Sequence, residues 1–148
     1  MSQSTAHDAN PYLGSEAATR LLIDLRQTTD GRTGDRLSGA IRAVTTAGST
    51  LPPDQVDAAI AAIALLLTDY EPALLDGAQD EQGLRAWLHN VDTELTPGRW
   101  LAASAALARI ELNLDNEWYA AHVQAGTVTP ALAAVHRLRD GLADASSG

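Results

Sequence analysis

Residues 52–70 read PPDQVDAAIAAIALLLTDY and predict the central helix of the molecule. The large apolar side chains recur at helical spacing and share one face, at Val56, Ile60, Ile63 and Leu67. Alanine occupies most of the other positions, so neighbouring helices can approach this one from more than one side. We therefore expect an Ala-rich helix over residues 54–69, ended by Pro72, with the rest of the chain packed around it.

Six other segments show the same spacing, and no segment alternates apolar and polar residues for long enough to predict a strand. These segments lie at about 16–27, 37–44, 84–91, 97–112, 117–124 and 132–142. The sequence therefore predicts an all-α fold, a compact bundle of about six or seven helices. We expect one domain over residues 12–143, between a disordered leader at 1–11 and a disordered tail at 144–148.

The segment after Leu95 has the clearest helix start in the chain. Thr96 is the expected N-cap, Pro97 suits the first helical position, and Leu95 can pack onto Trp100. The apolar positions of this helix are Leu101, Leu107, Ala108, Ile110 and Leu112. We expect it to pack beside the central helix.

The chain of 148 residues is acidic, with ten Arg, no Lys and a net charge of -9. This balance argues against nucleic-acid binding, which needs a clustered basic surface to displace counterions. It favours a basic partner or simply solubility. The absence of Lys and the abundance of Ala are typical of a GC-rich bacterial genome. The N-terminal residues do not resemble a signal peptide, and the central apolar run is shorter than a membrane span, so we expect a cytoplasmic protein.

No arrangement of residues predicts catalysis. The chain has no cysteine, which excludes disulfides, thiolate metal sites and cysteine nucleophiles. Its four histidines show no metal-binding spacing, and its glycines form no phosphate-binding loop pattern. We expect no metal, no cofactor and no catalytic residue, and an enzyme is the less favoured hypothesis.

Aromatic and polar side chains concentrate between residues 115 and 126, in a short helix between two stronger ones. Trp118 and His122 stand one turn apart on one face, whereas Tyr119 and Val123 form another. Only one of these faces can pack inward, and an exposed aromatic group with a polar rim is typical of an interface. The predicted interaction residues are Trp118, Tyr119, His122, Asp115 and Glu117.

Several short motifs resemble a bacterial family of small acidic helical proteins, the domain of unknown function numbered four-two-five-nine. The similarity rests on YLGSEAA at 12–18, the Ala-rich helix at 56–67, LRAWL at 84–88, the helix at 95–112, NEW at 116–118 and the closing helix at 132–142. Members of that family begin with a Gly- and Trp-rich head, whereas Met1 to Asn10 is polar here. The resemblance implies a small helical protein, and it assigns no activity and no functional residue.

Two functional hypotheses follow. The first is a regulatory or immunity-like protein that binds a protein partner or forms a homodimer, with no nucleic acid and no membrane among its partners. The alternative is a small-molecule binding or catalytic bundle, with a pocket between helices near Trp100, Trp118 and His122.

Overall fold

The computed structural model describes residues 10–28, 31–46, 51–112 and 116–147. Within these ranges the chain forms seven α-helices and one 3₁₀ turn, with no strand, which confirms the predicted all-α class. In chain order they are α1 (Glu16–Gln27), α2 (Thr33–Thr46), α3 (Pro53–Leu67), the 3₁₀ turn (Pro72–Leu75), α4 (Glu81–Leu88), α5 (Pro97–Leu112), α6 (Glu117–Ala125) and α7 (Val128–Ser147).

Helix α3 lies at the centre of the bundle, as predicted. Residues 59–67 are buried without interruption, so this helix is covered on every side. Its neighbours are α1 and α2 from the first part of the chain, the 3₁₀ turn, and α5, α6 and α7 from the second part. Alanine at most positions between the Ile and Leu side chains lets these neighbours pack closely.

Side-chain caps begin three of the helices. Ser15 Oγ accepts a hydrogen bond from the Ala18 amide at 3.0 Å, and Thr96 Oγ1 accepts one from the Arg99 amide at 3.2 Å. Asn116 Oδ1 accepts from the Tyr119 amide at 2.7 Å. These bonds satisfy amides that have no partner within the first helical turn, and the bond to Thr96 confirms the predicted cap.

The N-terminal boundary of the folded part is earlier than predicted. Asn10, assigned to the leader at 1–11, is only 3% exposed. Its Oδ1 accepts hydrogen bonds from the amides of Tyr12 and Leu13, and its Nδ2 donates to the carbonyls of Leu74 and Asp76. This side chain therefore ties the segment before α1 to the 3₁₀ turn. Residues 1–9 lie outside the described part of the chain.

The C-terminal boundary is later than predicted. The expected tail at 144–148 is helical as far as Ser147, because α7 continues through it. Ala145 packs against the core, and the carbonyl of Leu142 accepts a hydrogen bond of 2.8 Å from Trp100 Nε1. Contacts to α5 thus hold the last turns of α7. Gly148 lies outside the described residues.

Candidate interaction surface

Helix α5 packs chiefly against α2 and α7 and touches α3 at fewer positions, so the prediction that it packs beside the central helix is only partly correct. Its buried side chains are Ala103, Ala106, Leu107 and Ile110. These recur at i, i+3, i+4 and i+7, which is the spacing of one helix face. The predicted apolar set mixed this face with a second one, which points to solvent.

The second face of α5 is apolar and exposed. Leu101 is 63% exposed and Leu112 is 85% exposed, and Ala105 and Ala108 are exposed between them. We call these four residues the α5 face. The other exposed residues of the helix are Pro97 and Gly98, so no exposed residue of α5 carries a polar side chain. By contrast, the exposed side of α7 carries Arg, Asp and Ser side chains.

An apolar groove opens beside the first turn of α5, with a volume of about 310 Å³. We call it the Trp100 groove, and its lining residues are Tyr70, Leu95, Pro97, Trp100, Leu101, Ala145 and Ser146. Trp100 is held in place because its Nε1 donates to the Leu142 carbonyl. Leu101 belongs both to the groove and to the α5 face, so the two form one continuous apolar surface.

Carboxylates stand next to this groove. Asp69, Glu94 and Asp144 are exposed, and each precedes a lining residue in the chain. Among the described residues, none of the three carboxylates forms an ion pair. The nearby Arg99 is largely buried and does not neutralise them, since its guanidinium pairs with Asp92 at 3.1 Å and donates to the Glu94 carbonyl at 2.7 Å. The Leu101 end of α5 is therefore acidic.

At the other end of α5, near Leu112, the carboxylates are paired with basic side chains. The carboxylate of Glu111 accepts a hydrogen bond from Arg139 at 2.9 Å and lies 2.8 Å from Nε2 of His136. Arg139 and His136 are about half exposed, whereas the Glu111 side chain is mostly buried beneath them. Arg139 also lies 3.7 Å from the exposed carboxylate of Asp140, so two carboxylates share this guanidinium near the Leu112 end.

The predicted aromatic segment is α6, and its Trp118 belongs to the core. Trp118 is 1% exposed, and its ring meets that of His122 edge to face, with centroids 4.8 Å apart. Its Nε1 donates a hydrogen bond of 3.0 Å to Asp57 in α3. Burial raises the pKa of Asp57, while this hydrogen bond and the neighbouring His122 act to lower it. Nδ1 of His122 also lies 2.6 Å from the Thr127 hydroxyl.

The other predicted interaction residues have different environments. Tyr119 is partly buried against the core, and Glu117 is exposed. Val123, on the same face as Tyr119, is about half exposed. Asp115 lies outside the described residues. Both Trp118 and Tyr119 therefore pack against the core, contrary to the expectation that only one face packs inward, and the role of this segment in a protein contact stays a prediction.

The alternative pocket near Trp100, Trp118 and His122 would require the three rings to surround one space. Trp100 lines the groove of about 310 Å³ and a second cavity of about 220 Å³ between α5 and α7. Neither cavity is lined by Trp118 or His122. The described part of the chain also contains no cluster of three or more side chains suited to hold a metal ion.

The α5 face was not recognised from the sequence because α5 is apolar on two sides. A helix with two apolar faces resembles a fully buried helix in its sequence. In the sequence, Leu101, Ala105, Ala108 and Leu112 recur at helical spacing, and they lie on a different side of the helix from the buried set. The helical period assigns each residue to one of the two faces, but only the packed structure shows which face is covered.

The described residues include no helix that is both long enough and apolar enough to cross a membrane. No family model, curated protein or solved structure matches the chain. The resemblance to the helical family named above therefore stays a prediction.

Proposed function

We propose that this chain is a small acidic cytoplasmic protein that works by binding another protein, and that the α5 face with the Trp100 groove is the binding surface. The proposal depends on the exposure of Leu101 and Leu112, on a helix whose polar side chains are all at least partly buried. Contiguous exposed apolar surface of this kind, next to polar residues, is characteristic of protein interfaces. A helix with an apolar stripe of its own is the partner element that fits such a surface.

The negative net charge supports a regulatory or immunity-like role for this binding. A protein with a net charge of -9 attracts basic partners at long range and repels acidic ones. Such a protein can act by covering a surface of its target, without chemistry of its own.

A small apolar ligand is the second candidate, and the Trp100 groove is the observation that favours it. A volume of about 310 Å³ lies at the lower end of the range for ligand sites, about 300 to 1,000 Å³. A ligand in this groove would change the fluorescence of Trp100, and Trp100→Phe would remove that change while leaving the signals of Trp87 and Trp118. A protein partner bound across the α5 face would instead depend on Leu112, which does not line the groove.

Site-specific photo-crosslinking tests the binding surface. A photoreactive residue is placed at Leu101 or Leu112, and at the exposed Gln82 of α4 as the control, in cells that produce the protein. We expect a defined protein adduct from the two α5 positions and not from position 82. The same residue at Tyr119 tests the contribution of α6.

The crosslinked partner is then purified and its affinity measured. Leu112→Asp should weaken binding at least tenfold, because it places a charge in the apolar contact, whereas Gln82→Asp should not. Adducts that are equally abundant at positions 82, 101 and 112, or an affinity that Leu112→Asp leaves unchanged, would overturn the proposed surface.

A further inference from the structure

The α5 face favours a partner element that needs no backbone hydrogen bonds from it. Backbone N–H and C=O groups that become buried in an interface have to be hydrogen-bonded. The backbone of α5 is paired within its own helix, and the polar side chains of α5 are all at least partly buried. An extended segment on this face would leave its inward backbone groups unpaired, whereas a helix satisfies its own and buries an apolar stripe.

The length of the α5 face also exceeds what a small ligand in the groove can cover. Leu101 and Leu112 are eleven residues apart, which is about 17 Å along a helix. The Trp100 groove lies at one end of this distance, and Leu112 does not line it. Ala105 and Ala108 allow a second helix axis to approach to about 8 Å, the close end of the usual range. A helix of a partner can therefore cover the face and the groove together.

Three carboxylates next to the groove favour a partner helix with basic side chains. Asp69, Glu94 and Asp144 are exposed, and each is one residue away from a lining residue, so the two Cα atoms are about 3.8 Å apart. None of the three forms an ion pair among the described residues. Acidic side chains of a partner would be repelled here, whereas Lys or Arg side chains would give each carboxylate an opposite charge.

The basic side chains that this chain itself places nearby have other partners. Arg85 lines a neighbouring cavity together with Asp69, but its guanidinium lies 3.0 Å from the carboxylate of Asp76. Arg137 lies 3.5 Å from the carboxylate of Glu71, the residue that follows the lining residue Tyr70. The carboxylates at the groove are therefore available to a partner.

The aromatic side chains of the groove favour a cation as well. Tyr70 is 54% exposed, and Trp100 is fixed by its hydrogen bond to the Leu142 carbonyl. The faces of Tyr and Trp rings attract Lys and Arg side chains. A basic side chain in the groove thus has both aromatic and carboxylate groups within its surroundings.

We infer that the α5 face binds an amphipathic helix of another protein, whose basic side chains concentrate at one end, over the Trp100 groove, while its apolar stripe extends along α5 to Leu112. This inference rests on the proposed function, since it names the partner of the same surface. At the Leu112 end, Arg139 and His136 already pair with Glu111, so the bound helix needs no basic side chain there.

Two synthetic helical peptides test the charge of the partner. Both carry a stripe of Leu and Ala, and one has Lys residues at one end where the other has Glu. Fluorescence anisotropy with the full chain should show that the Lys peptide binds and that the Glu peptide does not. Leu112→Gln should weaken the Lys peptide about tenfold without a change of charge. Ile23→Gln, the same kind of change at an apolar side chain 51% exposed on α1, should not.

Matched removal of charges distinguishes the groove from the general negative charge of the protein. Glu94→Gln with Asp144→Asn removes two carboxylates at the groove. Glu117→Gln with Asp24→Asn removes two exposed carboxylates of α6 and α1, which form no ion pair among the described residues. The first double variant should bind the Lys peptide about threefold to tenfold more weakly and with less dependence on salt, and the second should bind it almost normally. Equal effects would mean that the peptide responds only to net charge, and would overturn the inference.

The position of the basic end is tested by thiol labelling, since the chain has no cysteine of its own. A maleimide on the Lys end of the peptide should react faster with Ser146→Cys, at the groove, than with Leu112→Cys. A maleimide on the other end should show the reverse order. The rates with N-ethylmaleimide give the reactivity of each cysteine without peptide binding. The same order for both peptide ends would overturn the placement of the basic end.

The results separate this inference from the proposed function. A Lys peptide that binds no better than the Glu peptide would overturn the inference, and so would a dimer of the purified chain that Leu112→Gln abolishes in sedimentation. If photo-crosslinking at Leu101 and Leu112 captures a partner whose binding does not depend on Glu94 and Asp144, the proposed function stands without the basic helix. If those positions crosslink no more than Gln82, both are wrong.

Discussion

The indole of Trp118 donates a hydrogen bond of 3.0 Å to the carboxylate of Asp57, and this bond joins α6 to the central helix. Burial raises the pKa of Asp57, and neither this bond nor the nearby His122 fully offsets that effect. The ionised carboxylate is therefore less favourable in the folded protein than in the unfolded chain. An amide oxygen at the same position could accept the same bond without carrying a charge.

We predict that Asp57→Asn makes the protein more stable than the original chain at pH 7. Because the pKa of Asp57 is raised on folding, its contribution to stability is largest below the unfolded-state pKa, about 3.9, and is lost as the pH rises through the folded-state value. The advantage of the Asn variant should therefore shrink as the pH falls from 7 towards 4. Urea unfolding of both chains at several pH values measures the difference.

Other carboxylates also change the stability as they titrate, for example Asp92, whose pKa is lowered by its hydrogen bond from Arg99. Their effect is the same in both chains, so it cancels when the two stabilities are compared at each pH. Asp57→Leu is the control for the hydrogen bond. It leaves the Trp118 indole without this acceptor and should cost about 1 to 3 kcal/mol. A stability advantage of Asp57→Asn that grows on acidification would contradict the raised pKa.

Trp118→Ala should lower the free energy of unfolding by about 3 to 5 kcal/mol, because it empties a fully buried site next to α3. It should leave the affinity at the α5 face unchanged wherever the variant is still folded. Leu112→Asp should show the opposite pattern, with weaker association and nearly unchanged stability. Chemical unfolding and the affinity for the crosslinked partner are measured for the same two variants. A loss of affinity in Trp118→Ala with normal stability would assign Trp118 to the interface.

Ile63→Ala should destabilise the protein by about 2 to 5 kcal/mol, since it creates a cavity in a helix that is covered on every side. Ile23→Ala removes the same atoms from an exposed position and should cost less than about 1 kcal/mol. Both values come from denaturant unfolding. Similar losses in the two variants would mean that α3 does not form the centre of the core.

We also predict no appreciable affinity for DNA or RNA at physiological salt. Ten Arg residues are distributed along a chain that carries nineteen acidic ones, and Arg26, Arg85, Arg99, Arg137 and Arg139 pair with carboxylates. Fluorescence anisotropy with labelled oligonucleotides at several salt concentrations is the measurement. Submicromolar binding that weakens steeply with salt would show that the protein binds phosphates.

The parts of the fold that were predictable depend on local chemistry. Ser15 and Thr96 cap helices through residues three positions away, and the spacing of Val56, Ile60, Ile63 and Leu67 requires only a regular helix. Asn10 was assigned to a disordered leader because its partners, Leu74 and Asp76, lie more than sixty residues away in the chain. A bond of that kind has no signal in local sequence.

The candidate surface illustrates the same limit. Leu101 and Leu107 are both apolar residues of α5, yet Leu107 is buried and Leu101 is exposed. Which of the two faces inward depends on where α2 and α7 pack, and no property of α5 alone contains that information. The prediction about Trp118 had the same difficulty, because the burial of its ring depends on the contacts of α6 to α3 and α7.

The coverage of α3 on every side also constrains how the protein is made. Helices α1 and α2 precede it in the chain and cover only part of its surface, while α6 and α7 follow it by fifty residues or more. A nascent chain that ends before α7 therefore leaves Ile and Leu side chains of α3 in contact with water, where they are prone to aggregate. We expect stable folding only after α7 has emerged from the ribosome, and a single cooperative transition in which neither half of the chain survives the loss of the other.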